Sequence, residues 1–209
     1  MNLEIIESFA HEMASGNGDG HGFDHLEAVA NLAKKILKGH PEADRELVLA
    51  SCYLHDSYDD KVCKDVPEMK ARICELLGVH DANRIFEICD HISFSDNLKE
   101  RYPLDINGQI VQDADRLEAM GATMIVRTLQ YGWAHDRVLY DPEIEPSLPT
   151  DKTEYHDNRS TTINHFYEKA FLLYELLNTD EAREMGEARD RLMHDFVNQF
   201  EKEWEEGHD

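Results

Sequence analysis

Basic residues are scarce in this 209-residue chain: 21 Lys+Arg stand against 44 Asp+Glu, a formal net charge of -23. Such a surplus repels nucleic-acid backbones and anionic lipid surfaces, so no nucleic-acid duplex is expected as a partner. It would equally repel a free phosphate ester, unless a bound divalent cation or an Arg/Lys cluster inverts the sign locally. Long apolar runs are missing as well. No stretch approaches the ~20 residues of a membrane span, and MNLEIIESFAHEM has no basic n-region, apolar segment or cleavage site. The expected address is the cytoplasm, with no membrane partner. Cysteine is sparse. Cys52, Cys63, Cys74 and Cys89 form no C-x-x-C pair and no zinc-ribbon spacing, and are expected as reduced thiols in a helical core. Period-two alternation, internal repeats and low-complexity tracts are also lacking, which argues against a sheet.

What is present is helical periodicity. Leu3, Ile6, Phe9 and Met13 recur at three- and four-residue steps. After the break GNGDGHG, Asp24 with Glu27 forms a candidate capping box for a helix marked by Leu26, Val29, Ala30, Ala33 and Leu37. Glu46–His55 is apolar on most sides and predicts a buried central helix. Asp65-Val66-Pro67 opens another, and Asp81 is a candidate cap for a helix reaching Ile92. Further helices are expected over 109–120 and 122–130, followed by two long C-terminal helices over about 161–177 and 181–206. Residues 132–158, with Pro142, Pro146 and Pro149, read as a lid or wall excursion. Length and patterning predict one all-α domain over 1–209.

Three distant segments place polar groups beside apolar helix: His21-Gly22-Phe23-Asp24-His25, His55-Asp56, and Asp113-Ala114-Asp115-Arg116. An ionised carboxylate at the end of a buried helix costs several kcal/mol unless it is paired or metal-bound. His-Asp alone also fits a surface dipeptide. With His25 and Asp115 added, two imidazoles and two carboxylates form a mixed N/O set. That set suits Mn2+, Mg2+, Fe2+ or Ni2+ in octahedral geometry, with two positions left for water and a substrate oxygen.

HGFDH, LHD and VQDADRLEAMGA, in that order and spacing, resemble the H…HD…D signature of HD-domain metal-dependent phosphohydrolases. LHDSYDDK, YDPEI and INHFYEKAFLLYELLNTDEAR extend the resemblance to the small single-domain bacterial branch, whose members hydrolyse nucleotides. The resemblance implies a compact helical bundle with the metal site in its core. It implies His25, His55, Asp56 and Asp115 as metal ligands, and a divalent ion, Mn2+ or Mg2+ before Fe2+ or Ni2+. It also implies Asp59 as a catalytic acid, with Lys61 and Arg116 gripping phosphate. The chain departs from related sequences at Ala28, where Arg is usual three residues after the first metal histidine.

Other candidates have a plainer reading beside the functional one. Asp59-Asp60-Lys61 also fits a solvated turn, and Arg116 a salt bridge to Asp113 or Glu118. Arg127 and Lys169 are candidate phosphate contacts on ordinary amphipathic helices. His91 is read as a structural or substrate-contact residue rather than a ligand of a second metal, and His165 as a core or pocket histidine. Trp133 and Tyr140 would either stack on a base or anchor the loop.

The expected activity is metal-dependent hydrolysis of a nucleotide, a small-molecule substrate, with pyrophosphate release from a nucleoside triphosphate preferred. The alternatives are a nucleoside monophosphate phosphatase and a non-catalytic metal- or nucleotide-binding regulatory module. A homodimer is compatible with the sequence.

Overall fold

A computed structural model describes residues 1–14, 22–59, 63–98, 100–148 and 160–208. The described residues are helical, with no strand among them. In chain order the helices are α1 Leu3–Ala14, α2 Phe23–Ile36, α3 Arg45–Leu54, α4 Val66–Leu77, α5 Val79–Cys89, α6 Ile106–Glu118, α7 Ala122–Ala134, α8 Asn164–Glu168 and α9 Asp180–His208. No helix among the described residues is long and apolar enough to cross a membrane. Contacts group the chain into two compact units, Met1–Asp115 and Arg116–Asp209.

In the first unit, α3 is the central helix. Its eight residues from Leu47 to Leu54 are all buried, as expected of a helix that is apolar all round. Helices α1, α2 and α5 pack against it, and α4 packs against α5. The start of α3 is set by Asp44, whose carboxylate accepts the Leu47 amide at 3.1 Å and the Arg84 guanidinium at 2.8 Å. Asp65 caps α4 in the same way through the Glu68 amide, with Pro67 in the first turn. Between α4 and α5 the chain turns on Gly78 at φ 79°, a conformation that costs glycine little and other residues more.

Several expected boundaries move, among them those of α6, which spans Ile106–Glu118 rather than 109–120. Helix α2 opens at Phe23 behind an extended Gly22, not at Asp24, and no side chain caps it. Asp24 instead lies in the first turn, where a carboxylate favours the helix dipole. Likewise α5 starts at Val79, which puts Asp81 in its first turn, and it ends at Cys89 rather than Ile92. Helix α7 runs to Ala134, four residues past the expected Gln130. There Gly132 passes so close to Thr162 that a Cβ would meet its Oγ1 at 2.2 Å.

In the second unit, the long C-terminal helix α9 packs against α7 and against the segment before it. That segment, expected as one helix over 161–177, is helical in pieces: α8, then 3-10 turns at Ala170–Leu172 and Tyr174–Leu176. Lys169, at φ -142°, interrupts it. Its buried residues Phe166, Ala170, Leu173 and Leu177 are spaced by three or four, and both helix types satisfy that spacing. Upstream, Val138 and Leu139 accept from the Thr162 and Ile163 amides. The Asn164 amide donates to the Ile144 carbonyl at 2.7 Å, and Glu168 accepts the Ser147 amide at 3.0 Å. The described part of the 132–158 excursion is thus tied to α8; its remainder, 149–158, lies outside the described residues.

All four cysteines are free. Cys52 and Cys89 are buried, and burial pushes both thiols up. Cys63 and Cys74 are half-buried rather than in the core.

Candidate metal centre

Three helices of the first unit bring four side chains together. His25 sits in the first turn of α2, His55 caps the C-terminal end of α3 with Asp56 next to it, and Asp115 lies near the end of α6. The two Nε2 atoms are 3.1 Å apart. Asp56 places one oxygen 3.3 Å from the His55 Nε2 and the other 3.5 Å from that of His25. Asp115 Oδ1 is 3.6 Å from the His25 Nε2 and 3.7 Å from the His55 Nε2. His25, His55 and Asp56 each offer an atom within 4.8 Å of the others, and Asp115 joins the group through both rings.

These separations are close to what one cation requires, the Asp115 ones being the longest. With metal–ligand bonds of ~2.1 Å, two ligands at right angles lie ~3.0 Å apart, and tetrahedral ones ~3.4 Å. The chemistry of the donors agrees. His55 Nδ1 lies 2.8 Å from the Cys52 carbonyl oxygen, which can only accept, so Nδ1 carries the proton and a neutral ring presents the Nε2 lone pair. Two imidazole Nε2 atoms and two carboxylates facing one another at such distances need a shared positive charge between them, a proton on a ring or a cation. Around His55, burial lowers the pKa, but Asp56 and Asp115 more than offset it, so the ring titrates above its ordinary value. The histidine side chains are the deep part, 5–8 % exposed, whereas Asp56 is 16 % and Asp115 29 % exposed. Water therefore reaches the cluster from the carboxylate side. The residues present fit a divalent ion.

Asp59 follows in the turn after α3, half-buried, its amide donating to the Asp56 carbonyl at 3.2 Å. Its charge adds to the negative field on His55. Lys61 lies outside the described residues. Arg116 is buried and donates through Nη1 to the Leu176 carbonyl. Arg127 pairs with Glu118. His91 donates through Nδ1 to the Glu87 carbonyl at 2.7 Å and stacks on Tyr102 at 3.6 Å. His165 is held down to about 3 by burial, then by Lys169 and Arg137, and is neutral at ordinary pH. Tyr140 packs edge-on against Phe200 and Trp204 of α9, the anchoring alternative, while Trp133 is 89 % exposed. The Cys52 carbonyl was not singled out from the sequence; its three-residue spacing from His55 is the only signal for it.

A family model described as the HD domain matches residues 22–120, a span that contains all four clustered side chains. The uncharacterized protein YpgQ of Bacillus subtilis is 32 % identical over 207 residues, covering 96 % of this chain and 92 % of YpgQ. Its crystal structure in complex with ADP superposes with a TM-score of 0.70 at 27 % identity, over 97 % of each chain. A Lactobacillus plantarum protein reaches a TM-score of 0.87 at 38 % identity, covering 97 % of this chain and 96 % of its own. An HD-superfamily hydrolase of Bacillus thuringiensis gives 0.71 at 30 % identity over the same shares. The chain belongs to the HD superfamily. Its fold is that of the HD-superfamily hydrolases, and its His-His-Asp group suits the divalent metals that HD domains bind.

Proposed function

We propose that this protein is a metal-dependent phosphohydrolase that releases pyrophosphate from nucleoside triphosphates. The observation that carries the reading is a pair of Nε2 atoms 3.1 Å apart with two carboxylates each 3.3–3.7 Å from them, the carboxylates open to water. The ADP complex of YpgQ supports a nucleotide as the substrate class.

His25, His55, Asp56 and Asp115 hold the ion, Mn2+ or Mg2+. When bound, a divalent ion lowers the pKa of water and polarises a phosphoryl oxygen. The Cys52 carbonyl holds the His55 ring turned, with Nδ1–H toward the main chain and Nε2 toward the ion. Asp59 takes the proton of the attacking water or returns one to the leaving oxygen. Lys61 offsets phosphate charge that the acidic chain would otherwise repel.

The test is ion chromatography of products after incubating the Mn2+- or Mg2+-loaded protein with each nucleoside triphosphate and monophosphate. Pyrophosphate with the matching monophosphate is the expected result, and Asp56→Ala should lose more than the ~10–100-fold typical of groups that only orient a ligand. Orthophosphate from monophosphates alone would replace this reading with a phosphatase. Undiminished turnover by Asp56→Ala would overturn the metal site.

A further inference from the structure

Beside Asp56 the first unit contains a cavity of about 300 Å3. Its walls are apolar: Met13 and Ala14 from α1, Leu26 from α2, and Met69 from α4. Ala14, Leu26 and Met69 are all buried. Asp56 itself lines the space, as do Lys64 and Glu68. One more cation borders the space, but it is engaged. The Arg72 guanidinium lies 3.4 Å from the Met13 sulfur and 3.5 Å from a Glu12 oxygen, over the Phe9 ring. It braces α1 against α4 and completes the wall on which Met13 rests.

We propose that this cavity receives the nucleobase of the substrate, with the phosphates directed toward Asp56. The inference rests on the nucleotide reading above and adds where the nucleoside goes. Three features carry it. The volume lies at the lower end of the ~300–1,000 Å3 range of ligand sites, suited to a nucleoside rather than a whole nucleotide. The walls offer two thioethers, which pack well on the face or edge of an aromatic ring, and the lining carboxylates Asp56, Asp65 and Glu68 outnumber the cations Lys64 and Arg72, which disfavours a phosphate chain inside it. Asp56, a carboxylate of the metal cluster, is among the lining residues, so a substrate whose phosphates sit on that cluster has this cavity within reach of its other end.

The test is methyl NMR on the full-length protein in Mg2+, labelled at the methyl groups of its 7 methionines, with signals assigned by single Met→Leu variants. ADP and pyrophosphate are titrated separately, since they share phosphate chemistry but only ADP carries a ring. ADP should move the Met13 and Met69 signals by ring current more than the other five, and pyrophosphate should leave those two in place. Ala14→Phe, which fills the space, should weaken ADP by about tenfold or more and leave pyrophosphate affinity unchanged; if that variant does not fold, the wild-type titration still decides. ADP that binds by calorimetry without moving Met13 or Met69 overturns the cavity assignment and leaves the nucleotide reading standing. Binding of pyrophosphate but no nucleotide overturns both.

Discussion

His55 Nδ1 lies 2.8 Å from the carbonyl oxygen of Cys52, one turn back at the end of α3. The bond consumes the only ring proton of a neutral imidazole, so the nitrogen 3.1 Å from His25 is a lone pair. A metal ion that binds here binds only the folded state, and its free energy is added to stability. At an ion concentration ~100 times its dissociation constant the gain is ~2.7 kcal/mol, which for a chain of this size raises the midpoint by about 5–10 °C. Calorimetry with and without Mn2+ checks this. His55→Ala and Asp56→Ala should lose the rise, and either variant keeping it in full would place the ion elsewhere.

His165 supplies a pH dependence outside the metal cluster. Burial, with Lys169 and Arg137, lowers its folded pKa to about 3, against ~6.5 in an unfolded chain. Between those values the unfolded state binds the proton and the folded state does not, so stability is fully present above pH ~6.5 and falls as the pH drops below it. The slope is at most about 1.4 kcal/mol per pH unit. Urea midpoints of wild type and His165→Gln between pH 4 and 7 would show it: the wild-type curve is expected to be the steeper, and parallel curves would contradict the assignment.

Gly132 leaves no room for a side chain beside Thr162. Adding a methyl at Gly132 meets Thr162 Oγ1 at 2.2 Å and Cγ2 at 2.8 Å. Gly132→Ala is therefore expected to destabilise by ~1–3 kcal/mol, the usual cost of overpacking, despite the better helix propensity of alanine. Thr162→Ala removes both atoms and should restore most of the loss in the double variant, measured by denaturant unfolding. Simple additivity of the two changes would show that the clash is relieved in some other way.

Asp44 joins two roles, cap of α3 and partner of Arg84. Burial raises its pKa, but the Arg84 guanidinium and the Leu47 amide outweigh this and leave it below the ordinary carboxylate value. Its contribution is thus present above the unfolded pKa and is lost as pH falls through the lower, folded one. Asp44→Asn keeps a capping oxygen and should cost less than Asp44→Ala, which is expected to lose ~1–2 kcal/mol. Thermal midpoints at pH 7 order the two, and equal losses would mean that the cap contributes little.

The helix content and the metal candidates were legible along the chain because they rest on local signals. LVLASCYL reads as a fully buried helix whatever surrounds it, and His55-Asp56 at its end is a polar pair at a costly place. Boundaries were less legible. The Asp24–Glu27 pair fits a cap, yet an extended Gly22 lets α2 begin earlier, and cap patterns alone do not separate starts one residue apart. At Lys169 the apolar spacing continues while the helix does not, since that spacing is shared by 3-10 and α turns. For Arg116 the sequence offered two partners, Asp113 and Glu118. A main-chain carbonyl 60 residues away, on Leu176, is an acceptor it also reaches, and carbonyls leave no trace in composition.

Residue order alone determined an all-helical chain, its central helix, and the identity of four donors whose chemistry suits a divalent ion, because periodicity and residue type act over a few positions. Tertiary structure alone decided that the two Nε2 atoms lie 3.1 Å apart with each carboxylate 3.3–3.7 Å from both, which nitrogen of His55 faces them, and that a cavity with two methionines in its wall is lined by Asp56. Those are distances between segments that the polypeptide separates by up to 90 positions, His25 to Asp115, and only packing around α3 sets them.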